Sequence, residues 1–142
     1  MLTHERARFW RLRLASWLGD PSAMYELASA CELGVGTPPD AAAAAHWHQR
    51  AAARGDARSM AALGQRCATG QTLPENKIDA LMWLSLAADF CTADMLRRVF
   101  VWQRDALADD MSAEARDAAT RRAEEWKAAF ARQQPRTGDK TG

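Results

Sequence analysis

Long apolar runs are missing from this chain: nothing in its 142 residues approaches the roughly 18 consecutive apolar positions that a membrane-spanning helix needs. A dominant charge is missing as well. Nineteen Lys and Arg face 18 Asp and Glu, a formal net charge of +1, so there is no global attraction to nucleic acid or to an anionic bilayer. Cysteine is sparse and odd in number, at three, which excludes a complete disulfide framework and fits a reducing compartment. The segment from Met1 to Asp20 alternates arginine with bulky apolar residues. It has no uninterrupted apolar core and no small-residue cleavage site, so it does not read as a secretory signal. A cytoplasmic location is the expectation. β-Branched residues are scarce beside abundant alanine, which favours helix throughout and leaves little material for a sheet.

What the chain does have is repetition. Gly19 returns as Gly55, an offset of 36 residues. At the same offset Asp20, Met24, Leu27 and Cys31 return as Asp56, Met60, Leu63 and Cys67. Gly34, Pro38, Ala44 and Trp47 return as Gly70, Pro74, Ala80 and Trp83, and Ala51-Ala52 as Ala87-Ala88. A fixed period of roughly 20–50 residues is the mark of stacked supersecondary units.

Each unit reads as two helices. Met24, Leu27, Ala28 and Cys31 fall at i, i+3, i+4 and i+7, one stripe of a helix, and Met60, Leu63, Gly64 and Cys67 repeat it. Asp20 followed by Pro21 is an N-cap acceptor before a first-turn proline, and Asp56 takes the same place. Gly34 and Gly70 stand where a left-handed C-cap calls for glycine. Loops follow, Val35 to Pro39 and Gln71 to Glu75, and Asp40 and Asn76 then cap second helices that carry Trp47 and Trp83 among alanines. Continuing the step maps Met60 to Leu96 and Leu63 to Val99, with Thr92 as an N-cap, so a third, divergent pair is predicted to begin at Ala93. Its first helix should end near Ala108, and Ser112 should cap a last helix bearing Ala115, Ala119, Trp126 and Phe130. Upstream, residues 4–18 form a helix with Phe9, Leu12 and Trp17 available for burial. The expected organisation is one domain over 1–131, with repeats at 20–54 and 56–90, a capping pair at 92–131 and a disordered tail at 132–142. The fold class is all-α, a solenoid of about three helix pairs plus an N-terminal capping helix.

The pattern resembles the Sel-1-like repeat family, a relative of the tetratricopeptide repeat. Leu27-Ala28, Cys31, Gly34, Gly36 and Asp40 follow the first half of its motif, and Ala44, Trp47, Arg50-Ala51-Ala52 and Gly55 the second. The next copy supplies Leu63-Gly64, Cys67, Gly70, Asn76, Ala80, Trp83 and Ala87-Ala88. Cysteine replaces the family's usual tyrosine at Cys31 and Cys67, Thr72 replaces the second loop glycine, and Cys91 stands where a third pair would open with glycine. The resemblance implies a right-handed α/α superhelix that acts as a non-catalytic adaptor for another protein. In such units the first helix of each pair lines the concave side. By register that names Ser22, Tyr25, Ser29 and Glu32, then Arg58, Gln65 and Ala68, then Asp94, Arg97 and Arg104. Tyr25, the only tyrosine in the chain, beside Arg58 and Arg97 is the expected hot spot. The structural core is expected at Met24, Leu27, Cys31, Trp47, Met60, Leu63, Cys67 and Trp83.

Other constellations carry less. Packed helices lie roughly 8–10 Å apart, whereas a disulfide wants Cα atoms within about 7 Å, so Cys31 and Cys67 read as core thiols. Cys91, at a helix junction, is the candidate reactive thiol. His46 and His48, two apart on a helix, cannot share one metal ion and are read as helix surface. Asp109-Asp110 and Glu124-Glu125 are adjacent and face apart. No catalytic triad, phosphate loop or zinc spacing is present, so no catalytic residue, cofactor or metal is expected. Arginines at 6, 8, 11 and 13, at 97 and 98, and at 121 and 122 alternate with acidic residues and read as solvated surface rather than a nucleic-acid face. The expected molecule is a small bacterial adaptor, a monomer, holding a peptide, loop or helix of another protein. The alternatives are an immunity or regulatory subunit for a neighbouring protein, and a small-molecule-binding or hydrolytic member resembling the family's cysteine-rich, β-lactam-associated branch.

Overall fold

The computed structural model describes residues 3–70 and 76–135. Those residues form seven α-helices and no strand: α1 His4–Trp17, α2 Pro21–Leu33, α3 Ala41–Ala53, α4 Ala57–Thr69, α5 Lys77–Phe90, α6 Asp94–Asp109 and α7 Ala113–Gln133. The second loop, 71–75, and the end of the chain from residue 136 lie outside the described residues.

The helix ends follow from local chemistry. Asp20 Oδ1 accepts from the amides of Ser22 and Ala23, Asp40 Oδ1 from Ala43, and Asp56 Oδ1 from Ser59. Asn76 and Ser112 cap α5 and α7 in the same way, and Thr3 caps α1. Each such cap satisfies amides that a helix start would otherwise orphan. α2 and α4 both stop at a left-handed glycine, Gly34 at φ 74° and Gly70 at φ 66°. Thr92 does not cap α6. The N-cap is Ala93, without a side-chain bond, because the chain leaves Cys91 in extended conformation. α7 runs on through Gln133, two residues past the expected end of the ordered helix.

Packing follows chain order: α1 lies on α2, α2 on α3, α3 on α4 and α4 on α5, while α5 receives both α6 and α7. Met24, Leu27, Cys31, Met60, Leu63 and Cys67 are all buried. Trp47 and Trp83 are half-buried and pack against separate clusters, Trp47 with Leu27, Cys31 and Ala44, and Trp83 with the main core around Met60, Leu63 and Leu84. α7 closes the main core with aromatic rings. Trp126 lies 6.1 Å from Trp83, 5.4 Å from Phe90 and, stacked, 5.2 Å from Phe130. Ion pairs Arg122–Asp79 and Lys127–Asp89 hold it to α5.

Two expectations fail at the ends of the stack. Trp17 is exposed rather than buried, since α1 turns Phe9 and Leu12 toward α2 instead. Val99, the register equivalent of Leu27 and Leu63, is also exposed, because α6 turns inward on Leu96 and Phe100.

Gly64 sets how closely α4 and α5 approach. A Cβ there would stand 3.0 Å from Leu84 Cγ and 3.2 Å from the Ala80 carbonyl oxygen. Gly64→Val is expected to lower stability by about 1–3 kcal/mol through overpacking, despite removal of a helix-interior glycine. Chemical denaturation checks this; an unchanged midpoint would mean the two helices part without cost.

Candidate partner-binding groove

The first helices of successive pairs, α2, α4 and α6, contribute side chains to one cleft. α2 presents Tyr25, Ser29 and Glu32, spaced i, i+4 and i+7 and so on one helical face. α4 adds Arg58, Ala61, Ala62 and Gln65, α6 adds Leu96 and Phe100, and His48 reaches in from α3. The cleft holds about 270 Å³. A second cleft of about 230 Å³ adjoins it between α1, α2 and the loop after α2, lined largely by Phe9, Leu12, Ala30, Leu33 and Val35. Tyr25 and Ser29 border both, so the two form one groove, polar at one end and apolar at the other.

Tyr25 and Arg58 form its centre. The Arg58 guanidinium lies 4.0 Å from the centroid of the Tyr25 ring, within cation–π range. Arg58 Nη2 donates to Ser22 Oγ at 3.3 Å and to Asp56 Oδ2 at 3.3 Å. Three contacts therefore hold one guanidinium in the lining of the cleft. Behind the ring sits His48, 5.7 Å away centroid to centroid. His48 is 2 % exposed and its Nδ1 lies 3.2 Å from Ser59 Oγ, so the expectation of a surface histidine is wrong. Burial, and secondarily the charge of Arg66, lower its pKa from 6.5 to about 4, which keeps the ring neutral near pH 7. Arg66 is itself buried and donates through Nη2 to Glu32 Oε1 at 2.7 Å. The pair ties α4 to α2 along the groove wall.

Of the residues named by register, Ser22, Tyr25, Ser29, Glu32, Arg58 and Gln65 are thus brought together. Asp94, Arg97 and Arg104 do not line the cleft. Leu96 and Phe100 take that place, for the same turn of α6 that exposes Val99. Arg104 pairs instead with Asp105. Sequence reasoning missed Arg66 and the role of His48. The readable signal was the small-residue arc of α3, where Ala44, Ala45, Ala51 and Ala52 share one face of the helix with His48 at its centre, while His46, Gln49 and Arg50 face solvent.

Cys31, Cys67 and Cys91 are all free and buried. Burial, with Asp40 near one and Asp79 near the other, raises the pKa of Cys31 and Cys67. Cys91 Sγ donates to the Ala93 carbonyl at 3.5 Å inside the core, a poor position for the reactive thiol expected there. Among the described residues no three His, Cys, Asp or Glu side chains are grouped to hold a metal, and no helix is long and apolar enough to cross a membrane.

The Sel1 repeat family model matches residues 21–56 and 57–89, the two units in register. No curated protein matches the chain. Among solved structures, a protective antigen present in uropathogenic Escherichia coli strains and displaying an SLR fold is similar at a TM-score of 0.76 and 23% identity. The similarity covers 99% of this chain and 31% of that one, so the chain spans about a third of the antigen's length. At that identity it is the fold that is shared. A Sel1 repeat protein from Oxalobacter formigenes is 27% identical over 50% of this chain and 28% of its own, with a TM-score of 0.48.

Proposed function

We propose, of a chain that carries two Sel1 repeats within an all-α solenoid, that it is a non-catalytic adaptor which holds a segment of another protein across α2 and α4. Sel1 repeats are in general protein-interaction modules. The observation that carries the reading here is the Tyr25–Arg58 pair, stacked at 4.0 Å between an apolar and a polar cleft. An aromatic ring and a preorganised guanidinium at the centre of a groove are the residue types that dominate interface energies. The apolar cleft beside Leu33 and Val35 suits one aliphatic or aromatic anchor of the bound segment, and the edge of Arg58 suits a carboxylate or carbonyl next to it. Three buried, unpaired thiols are in keeping with a reducing, cytoplasmic setting.

The test is capture of a partner from native extract by the tagged protein, run beside Tyr25→Ala and Arg58→Glu. Each variant is expected to weaken capture by roughly tenfold or more, as loss of about 1.4–2 kcal/mol of hot-spot energy requires. Thermal stability should fall only slightly, since the ring is half-exposed and its pairing with Arg58 is worth about 1 kcal/mol. Equal retention by wild type and both variants would place the binding surface elsewhere. Unfolding by Tyr25→Ala would make Tyr25 a core residue.

A further inference from the structure

Two helices of this solenoid carry apolar stripes that stay exposed. On α1 Trp10, Leu14 and Trp17 are 53%, 61% and 76% exposed. On α6 Met95, Val99 and Trp102 are 77%, 48% and 71% exposed. Both stripes run i, i+4, i+7, the spacing of a helix face that expects another helix. Within one molecule α2 to α5 separate the two helices in packing order.

The charges beside the stripes differ in sign. Arg6 and Arg13 flank the α1 stripe by helical phase. Arg13 lies 5.3 Å from the Trp10 ring centroid and Arg50 of α3 lies 5.1 Å from that of Trp47. The α6 stripe continues through Ala106 to Asp109, with Asp105 and Asp110 beside its end and Arg98 at its start. Parallel docking that aligns the two stripes would set Arg98 against Arg13. Antiparallel docking aligns Trp10 with Trp102, Leu14 with Val99 and Trp17 with Met95; it sets Arg6 opposite Ala106, one turn from Asp109, and Arg98 opposite Leu14.

We propose that the α1 stripe of one molecule packs antiparallel on the α6 stripe of a second copy, joining solenoids head to tail. The contact uses two different faces, so it is heterologous and leaves a free stripe at each end for further copies. It departs from the monomer expected from sequence, and it would join successive grooves end to end. It uses neither Tyr25 nor Arg58, so it stands or falls apart from the adaptor reading.

The test is sedimentation of the full chain over a concentration series. Wild type is expected to associate reversibly, and less at high salt as the Arg–Asp pairs are screened. Trp17→Glu and Trp102→Glu should each weaken self-association roughly 100-fold, as loss of a central aromatic does. Because both rings are exposed, each variant should keep wild-type circular dichroism and melting. An equimolar mixture of the two variants retains one intact face of each kind and should form a 1:1 dimer and nothing larger. Tyr25→Ala should associate like wild type. A wild type that is monomeric at every concentration would overturn the proposal, and so would association that survives Trp102→Glu or a mixture that stays monomeric. If the glutamates unexpectedly disturb folding, Arg6→Asp paired with Asp109→Arg is the second set: each alone weakens association and mixing them restores it.

Discussion

Trp83→Ala is expected to cost about 3 kcal/mol, at the low end of the range for truncating a core aromatic because the ring is half-buried. For a domain of this size that is a fall in Tm of roughly 10 °C. The cost is high because Trp83 touches three layers. Its ring meets Trp126 of α7 at 6.1 Å, its Cβ lies 3.3 Å from where a Cβ on Gly64 of α4 would stand, and it packs on the main core. Removing it leaves Trp126, which stacks on Phe130, without support on one side. Its register twin should behave differently. Trp47 borders two open clefts and packs on only a small cluster, so Trp47→Ala is expected to cost about 1–2 kcal/mol, the loss of partial burial without a closed cavity. Guanidinium denaturation of both variants is the measurement. Equal losses would mean that repeat position, not the number of layers a ring bridges, sets the energy.

The second large effect is with pH. His48 has a folded pKa of about 4 against 6.5 in a free chain, mainly from burial. Below 6.5 the unfolded state takes up a proton that the folded state refuses, so stability is whole above that pH and is lost as pH falls toward 4. Below about 4 both states are protonated and this contribution is flat. At about 1.4 kcal/mol per tenfold, the loss over that window is about 3 kcal/mol. The window also brings a charge toward Arg66 behind the groove wall, so partner capture should weaken in the same range. Denaturant midpoints from pH 7 to pH 4 for wild type and His48→Leu check the assignment. The variant keeps a ring-sized apolar filler but leaves Ser59 Oγ without its partner, so it starts less stable, and its slope between pH 6.5 and 5 should vanish. A slope preserved in the variant would assign the effect to other groups.

The amino-acid sequence by itself determined the repeat, the order of the helices, the side-chain caps of α2 to α5 and α7, and the buried stripes of α2 and α4. Those properties are local: Asp20 caps whatever follows it, Gly34 turns left-handed for want of a Cβ, and Met24, Leu27 and Cys31 share a face by the pitch of the helix alone. It also brought Tyr25 and Arg58 to the groove, since a 36-residue step sets Arg58 over the same turn as Ser22, to which it donates. Tertiary structure alone decided the rest. A helix stacked between two neighbours buries two arcs, and one sequence stripe reveals only one of them. That is why His48 on α3 and Arg66 on α4 proved buried, and why their pairing with Ser59 and Glu32 was not legible. Where the repeat drifts, the rotation of a helix about its axis is set by what packs on it. α5 carries both α6 and α7, α6 turns Leu96 and Phe100 inward, and the stripe of Met95, Val99 and Trp102 is left facing out.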